Sequence, residues 1–488
     1  MDKLQILKIM SEIKAVAENE NSNLGDFLPL KNYAMLRDPG RFLIIGGRGT
    51  GKTRLFKLLL EKNGFRQVIG KQQVLFQPNE DNSEFIIGYR EGNGFPSPNI
   101  TGKYADDESA AAFWAGSIIF LLMRHLKEDE HVKMLAKMYI PASMLSKFEN
   151  FKLLKQPSEW IPYIIEAPEQ WENFLDDLNE YMESGNRWIF LTYDSLDRIC
   201  DKYADLFPYI RTLLSFWYTH SRRWNRICSK IFLRNDLYDS QLLSFPDSSK
   251  ISGNSLKLEW DTLALYRLLV KKMANAGEPE LVDYLKLTDG LISEEPDGEL
   301  GYIPTEHEAV MVSFVDCLIG HYMGSNRKKG MSYSWAPNHL QDTHGALSPR
   351  SFLKCYSVAA AKMYEKPGEI AKLSGTLLIN PSMLQGAVVD VSEDRVSELQ
   401  EEYEWLEELK KAFSGVTLLI EKREFIKKIQ MDLWSEEKQL PALSPQGIFD
   451  VLEKLGIVMV ARDGRVNVPE IYLHGFGMKR KGGIRRPK

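Results

Sequence analysis

An α/β fold with a mostly parallel sheet, then a mainly helical region and a C-terminal helix-and-hairpin module, is what this sequence predicts. Three observations carry that prediction. Short apolar runs that read as buried strands alternate with helical stretches across residues 41–260. A glycine cluster closes the first of those runs, and beyond Asp261 the strand pattern gives way to helical spacing.

Composition fits such a chain. The 488 residues are 44% hydrophobic and 26% charged, with a net charge of −5. That is the balance of a soluble globular protein, and it excludes a mainly disordered, collagen-like or disulfide-scaffold chain. No stretch approaches the ~18 consecutive apolar residues of a membrane span, so no membrane partner is expected. Met1-Asp2-Lys3-Leu4-Gln5 lacks a basic leader ahead of an apolar core, and the expected location is cytoplasmic. The negative balance argues against a globally basic nucleic-acid binder but leaves room for a local basic patch. Cys200, Cys228, Cys317 and Cys355 are scattered without a CxxC pair, and the histidines form no HExxH. They read as buried thiols in a reducing compartment, with no zinc site.

In chain order, residues 1–40 read as an amphipathic helix (Leu4, Ile6, Leu7, Ile9, Met10, Ile13) and a connector. Residues 41–260 form the α/β core. Its strand candidates are Arg41–Ile45, Gln73–Gln77, Glu84–Tyr89, Trp188–Tyr193, Ile231–Leu233 and Leu256–Trp260. A Gly/Pro/Asn-rich loop spans 92–102, and helical spacing fills 108–182 and 204–223. Asp261 suits an N-cap, and residues 261–375 read as a helical lid. An acidic helical stretch over 392–408 is most simply a solvated face.

The most informative segment is Gly46-Gly47-Arg48-Gly49-Thr50-Gly51-Lys52-Thr53, a full GxxxxGK[ST] loop between an apolar strand and a helix. Glycines let backbone N–H groups curl around phosphate oxygens, and the helix N-terminus adds positive potential there. Lys52 would reach the β- and γ-phosphates, and the Thr53 hydroxyl would coordinate Mg²⁺. ATP and Mg²⁺ are therefore the expected ligands. No Asn-Lys-x-Asp guanine-reading pattern is present, which favours adenine.

Such a site needs an acid at the end of a neighbouring strand, and Asp194 ends the run Trp188–Tyr193. Ser195 stands where an adjacent glutamate is usual. The next acid, Asp197, is one turn away and could orient the attacking water, or cap the following helix, or pair with Arg198. The run Ile231–Leu233 ends in Arg234-Asn235-Asp236; Asn235 is favoured as a polar sensor of the γ-phosphate, with Arg234 the rival and a simple capped turn the alternative. In the helical region Ser348 and Pro349 read as N-cap and first helical residue. A cation in that first turn opposes the helix dipole, so Arg350 should have another partner, either a nucleotide phosphate or a structural carboxylate.

Together these features resemble the AAA+/STAND class of P-loop ATPases. The resemblance implies a Walker A loop at Gly46–Thr53, a Walker B strand ending at Asp194, a sensor-1-like Asn235 and a sensor-2-like Arg350 in a helical lid. The order of core, lid and C-terminal winged helix also looks like the origin-recognition ATPases. A closer likeness is to bacterial P-loop ATPases found near antiphage defence genes, carried by Phe42–Gly49 and by Tyr193-Asp194-Ser195-Leu196-Asp197-Arg198. It implies an ATPase (ATP and water to ADP and phosphate) that assembles with itself and controls a protein effector. With Ser195 replacing the glutamate, slow turnover is expected. Arg211, Arg222 and Arg223 are candidates for an arginine finger, though each also reads as a solvated surface residue.

Residues 376–475 are expected to hold a winged helix: a helix over 422–433, a helix opened by Ser444-Pro445, and a hairpin turning at Asp463-Gly464. Residues 476–488 form a basic tail with Lys479, Arg480, Lys481, Arg485, Arg486 and Lys488. It reads as a contact for double-stranded DNA, as a solubilising tail, or as a docking arm for an acidic partner. Three functions follow as alternatives: an ATP-dependent switch on an effector, a DNA-binding initiator or loader, and a nucleotide-binding scaffold that never hydrolyses ATP.

Overall fold

The structure, a computed structural model, describes residues 2–14, 24–70, 72, 75–238, 248–253, 255–430 and 440–480. Two compact units emerge, one of Pro29–Leu258 and one of Met1–Leu28 with Glu259–Lys488.

Pro29–Leu258 is an α/β unit. Its sheet comprises, among the described residues, β1 (Leu43–Gly46), β2 (Ser83–Tyr89), β3 (Trp188–Tyr193), β4 (Ile227–Arg234) and β5 (Leu256–Lys257). All pair in parallel, in the spatial order β2-β3-β4-β1-β5. Parallel strands need crossovers that cover both faces, so the inner strands read as unbroken apolar runs rather than alternating ones. β1 and β3 are buried at every position. Helices Asp107–His125, Pro168–Ser184 and Tyr203–His220 supply the apolar cover. The strand order, with a P-loop between β1 and the helix that follows it, makes this unit a P-loop NTPase core.

Several elements differ from the expectation. Residues 75–77 are not strand, while 73 and 74 lie outside the described residues. β4 starts at Ile227 rather than Ile231, so Lys230 lies inside the sheet and is wholly buried. Its ammonium donates to the carbonyls of Asp38 (2.7 Å) and Arg41 (2.9 Å), tying down the turn that feeds β1. Burial pushes this amine down to about 8.

The second unit is helical with a small β module. The amphipathic helix expected near the N-terminus is Lys3–Ser11; it packs on the helix Pro349–Tyr364, and Lys3 Nζ donates to the Leu373 carbonyl at 2.9 Å. Asp261 caps Thr262–Ala274 by accepting from the Ala264 N–H at 2.7 Å. The long helix Pro381–Glu402 packs on Pro349–Tyr364 and on Glu470–Leu473. Beyond it, helices Leu406–Phe413, Lys422–Ile426 and Pro445–Lys454 surround an antiparallel sheet of β7 (Ile420–Glu421), β9 (Arg465–Asn467) and β8 (Met459–Val460), in that order. This is the winged-helix arrangement. The middle helix closes at Ile426 rather than 433, and residues 431–439 lie outside the described ones.

The module also runs further than 475. Lys479–Arg480 form β10, parallel to β6 (Thr417–Leu418). Arg480 donates to Glu470 at 3.0 Å, Asn467 at 2.9 Å and the Val468 carbonyl at 2.6 Å. Arg480 is thus a structural residue, and the tail proper, 481–488, lies outside the described residues. Among the described residues no helix is long and apolar enough to cross a membrane.

Candidate functional site

The site is built at the carboxyl ends of β1, β3 and β4. At the P-loop, Gly49 (φ 76°) and Gly51 (φ 100°) adopt left-handed backbone that a Cβ would penalise. Gly46 is needed for a different reason: a Cβ there would meet the Thr50 Oγ1 at 2.5 Å. The Thr50 hydroxyl in turn donates to the Gly47 carbonyl at 2.8 Å, closing the loop on itself. From Lys52 the chain enters the helix Lys52–Leu59, whose first N–H groups have no partner within the helix and face the loop.

Lys52 Nζ donates to the carbonyls of Gly46 and Gly47, both at 2.8 Å. Burial is the main cause pushing this amine down to about 8, followed by the positive charge of Arg234. Asp194, Asp236 and Asp197 pull the other way. One local field therefore joins the P-loop lysine to the ends of β3 and β4.

Asp194 is buried, and its carboxylate accepts from the Thr53 hydroxyl and from the Ser195 N–H. Burial nevertheless pushes its carboxyl up from the ordinary value. A buried carboxylate beside a hydroxyl is a hard-oxygen pair, which fits a magnesium ion and would be stabilised in its charged form by one. Tyr193, just before it, is packed against Trp114 and accepts from Trp217 Nε1 at 3.2 Å, so the strand end is held from behind.

Ser195 takes left-handed backbone (φ 58°), turning the chain into the short 3-10 turn Leu196–Arg198. The Thr101 hydroxyl holds that turn by donating to the Ile199 carbonyl. Asp197 pairs with Arg234 (3.2 Å), while Arg198 pairs with Glu91 (3.2 Å). Of the partners weighed from sequence, Arg198 is thus engaged elsewhere.

Arg234 is the residue that sequence reasoning ranked second. It ends β4 in register with Gly46. Its Nε and Nη2 reach the two Asp236 oxygens at 3.0 and 2.8 Å, and Nη1 reaches Asp197. Asn235, the favoured sensor, lies exposed in the turn after the strand.

Arg350 belongs to the helical unit. Ser348 caps its helix by accepting from the Ser351 N–H (3.4 Å), and Arg350 pairs with Glu398 at 3.4 Å. Glu398 also holds Arg395 (3.3 Å). The carboxylate alternative weighed from sequence is therefore present. Arg48 lies partly exposed on the P-loop. Arg211 pairs with Asp107, Arg222 lies 4.4 Å over the Tyr218 ring, and Arg223 pairs with Glu172 (3.0 Å) and Asp176. The structure brings Lys52, Thr53, Asp194, Asp197, Arg234 and Asp236 together; Cys200, Cys228 and Cys355 are buried and Cys317 is partly so.

No family model and no curated protein sequence matches this chain. Among solved structures, the ORC2 protein of Aeropyrum pernix, determined with ADPNP and ADP, is similar at 12% identity. The overlap covers 93% of this chain and 94% of that one, with a TM-score of 0.37. The Cdc6p of Pyrobaculum aerophilum is also similar at 12% identity, over 96% of both chains, with a TM-score of 0.26. The fold assignment rests on strand order and loop geometry rather than on these overlaps.

Proposed function

We propose that this chain binds Mg-ATP at the P-loop, hydrolyses it slowly, and acts as a nucleotide-driven switch. The observation that carries the reading is the convergence of Lys52, Thr53 and Asp194 at the carboxyl ends of β1 and β3. In this reading the P-loop N–H groups cradle the phosphates, and Lys52 exchanges its two carbonyl partners for β- and γ-oxygens. Thr53 and Asp194 would hold a magnesium ion, which would supply positive charge to the transferred group. Asp197 orients a water, whose oxygen bonds to the γ-phosphorus as the bond to the β-bridging oxygen breaks; the water's proton leaves toward the carboxylate or the phosphate. Turnover is slow because Ser195 offers no carboxylate and Asp197 is held by Arg234.

Self-assembly and control of a protein effector in antiphage defence, which the resemblance implies, form part of this reading. A second reading, a DNA-binding initiator or loader, draws on the winged-helix sheet and on exposed Arg423, Lys427 and Lys428 after β7. The exposed face of Pro445–Lys454 offers Gln446, Asp450 and Lys454, a mixed rather than basic surface. The deciding measurement is ATP hydrolysis with and without double-stranded DNA at two salt concentrations, with Lys52→Ala as blank. Salt-sensitive stimulation by DNA makes the second reading the better one. Slow turnover indifferent to DNA leaves the switch, and no turnover above the blank removes hydrolysis and leaves a scaffold.

A further inference from the structure

Between Asp316 and Asp342 the chain carries no carboxylate side chain, and in the middle of that stretch stand Arg327, Lys328 and Lys329. In the helical unit they form the tip of a hairpin. Tyr322 bridges to Met331 in antiparallel fashion, the Met323 N–H donates to the Gly330 carbonyl at 2.9 Å, and the Ser332 N–H donates to the His321 carbonyl at 3.0 Å. The tip has a defined turn: Asn326 accepts through its side chain from the Lys328 N–H (3.1 Å) and through its carbonyl from the Lys329 N–H (3.0 Å). A Cβ on Gly324 would meet the Lys329 Cγ at 2.9 Å, so the lysine stem lies across bare backbone. Every residue from Gly324 to Lys329 is exposed, and among the described residues no carboxylate pairs with any of the three cations. Asp316, the acid before them in sequence, is taken by His321 at 2.8 Å.

Three like charges held on one turn repel one another, and no partner within the chain offsets that repulsion, so the complement is an external anion. The tip offers cations, short polar side chains and bare glycine backbone, which are the groups that take phosphate oxygens. It has no aliphatic or aromatic anchor of the kind that carries a protein interface. We propose that the hairpin 322–331 is a phosphate-backbone contact for duplex DNA, separate from the winged helix and the basic tail. Its place in the fold suits a shared duplex. The hairpin leads directly into the helix Ser332–Leu340, near whose far end His339 Nε2 lies 3.4 Å from Glu470, the carboxylate that also holds Arg480. That helix has nine residues and rises about 13 Å, well under the ~34 Å of one duplex turn, so one duplex can touch both the tip and the winged-helix module. The proposal rests on the DNA-binding reading and adds to it a contact in the helical lid.

Fluorescence anisotropy of a labelled duplex of random sequence, titrated with the full chain at a series of salt concentrations, tests it. The triple variant Arg327→Gln, Lys328→Gln and Lys329→Gln should weaken binding about tenfold or more at low salt. It should also reduce the steepness of log affinity against log salt by up to about 2.7, at the usual ~0.9 for each of three phosphate contacts. The loss should be equal for duplexes of unrelated sequence, since backbone contacts carry no base information. Arg327→Lys, which keeps the charge, should bind like the parent, and a thermal melt should show both variants as stable as the parent because the tip is exposed. A parent that binds duplex while the triple variant keeps its affinity and salt slope would overturn the proposal and leave DNA to the winged helix and tail. So would a loss confined to one sequence, or an Arg327→Lys variant as poor as the triple one. A parent that binds no duplex at all would sink the DNA-binding reading itself, a different and recognisable result.

Discussion

Lys52 is held in a conflict that nucleotide would resolve. Its ammonium is buried, donates to two carbonyls of its own loop, and is pushed down to about 8 chiefly by that burial. Removing it should therefore separate binding from stability. Lys52→Ala is expected to weaken ATP binding about 100-fold, the scale of truncating one partner of a buried charge pair, without lowering the melting temperature of the free protein. Calorimetric titration beside a thermal melt checks both; undiminished ATP binding would remove the phosphate role from this lysine. Ser195 offers a second residue-scale test. Its φ of 58° costs a residue with a Cβ about 1 kcal/mol, part of which glycine regains before its greater unfolded entropy is counted. Ser195→Gly should stabilise the protein by roughly 0.5 kcal/mol at most, with no loss of ATP binding; a clear fall in melting temperature would mean the hydroxyl is bonded in a way that outweighs the strain.

At the scale of an element, β4 carries an unusual passenger. Lys230 sits in the middle of the sheet, its charge opposed by burial and supported by two carbonyls of the turn before β1. The folded amine titrates near 8, against 10.5 for an ordinary lysine. Between those values the unfolded chain takes up a proton that the folded chain does not, so stability falls as pH drops from 10.5 to 8 and is level below. The slope is roughly 1 kcal/mol per pH unit. Lys230→Met should lose that slope, so the parent should gain stability relative to it as pH rises across the window, as urea melts at several pH values would show. A difference flat in pH would mean the two carbonyls hold the proton as firmly as water does. This strand also marks where sequence reading stops. The contiguous P-loop and the apolar run ending at Asp194 declare themselves, because local pattern alone places a phosphate loop and a strand-end acid. A lysine ahead of Ile231 looks like the residue outside a strand, and only the pairing of β4 with β3 from Ile227 onward draws it inside. Likewise Arg234-Asn235 names two candidates, and the register of Arg234 with Gly46 selects which faces the loop.

For the molecule as a whole, the two units do not follow chain order, since Met1–Leu28 groups with the C-terminal unit. Within that unit the lid helix bearing Arg350 and the winged helix share the long helix Pro381–Glu402, whose Glu398 pairs with Arg350 and whose Ser392 hydroxyl accepts from the Gly475 N–H at 2.9 Å. A truncation meant to test DNA binding must respect this packing. Cutting at 478 would remove Arg480 and β10, leaving Glu470, Asn467 and the Val468 carbonyl without its guanidinium, and a loss of affinity would then report a damaged winged helix. Cutting after Arg480 removes Lys481, Arg485, Arg486 and Lys488 and keeps every described element of the module. On the DNA-binding reading, those residues neutralise backbone phosphates, each releasing a counterion. Their deletion should then reduce the steepness of log affinity against log salt by up to about 3.6, at the usual ~0.9 for each of four phosphate contacts, with an unchanged melting temperature. An unchanged slope would place the contact on the winged helix, on the hairpin 322–331, or nowhere. Combined with hydrolysis indifferent to DNA, that result would leave the module as a protein-binding surface and the ATP site as the switch that governs it.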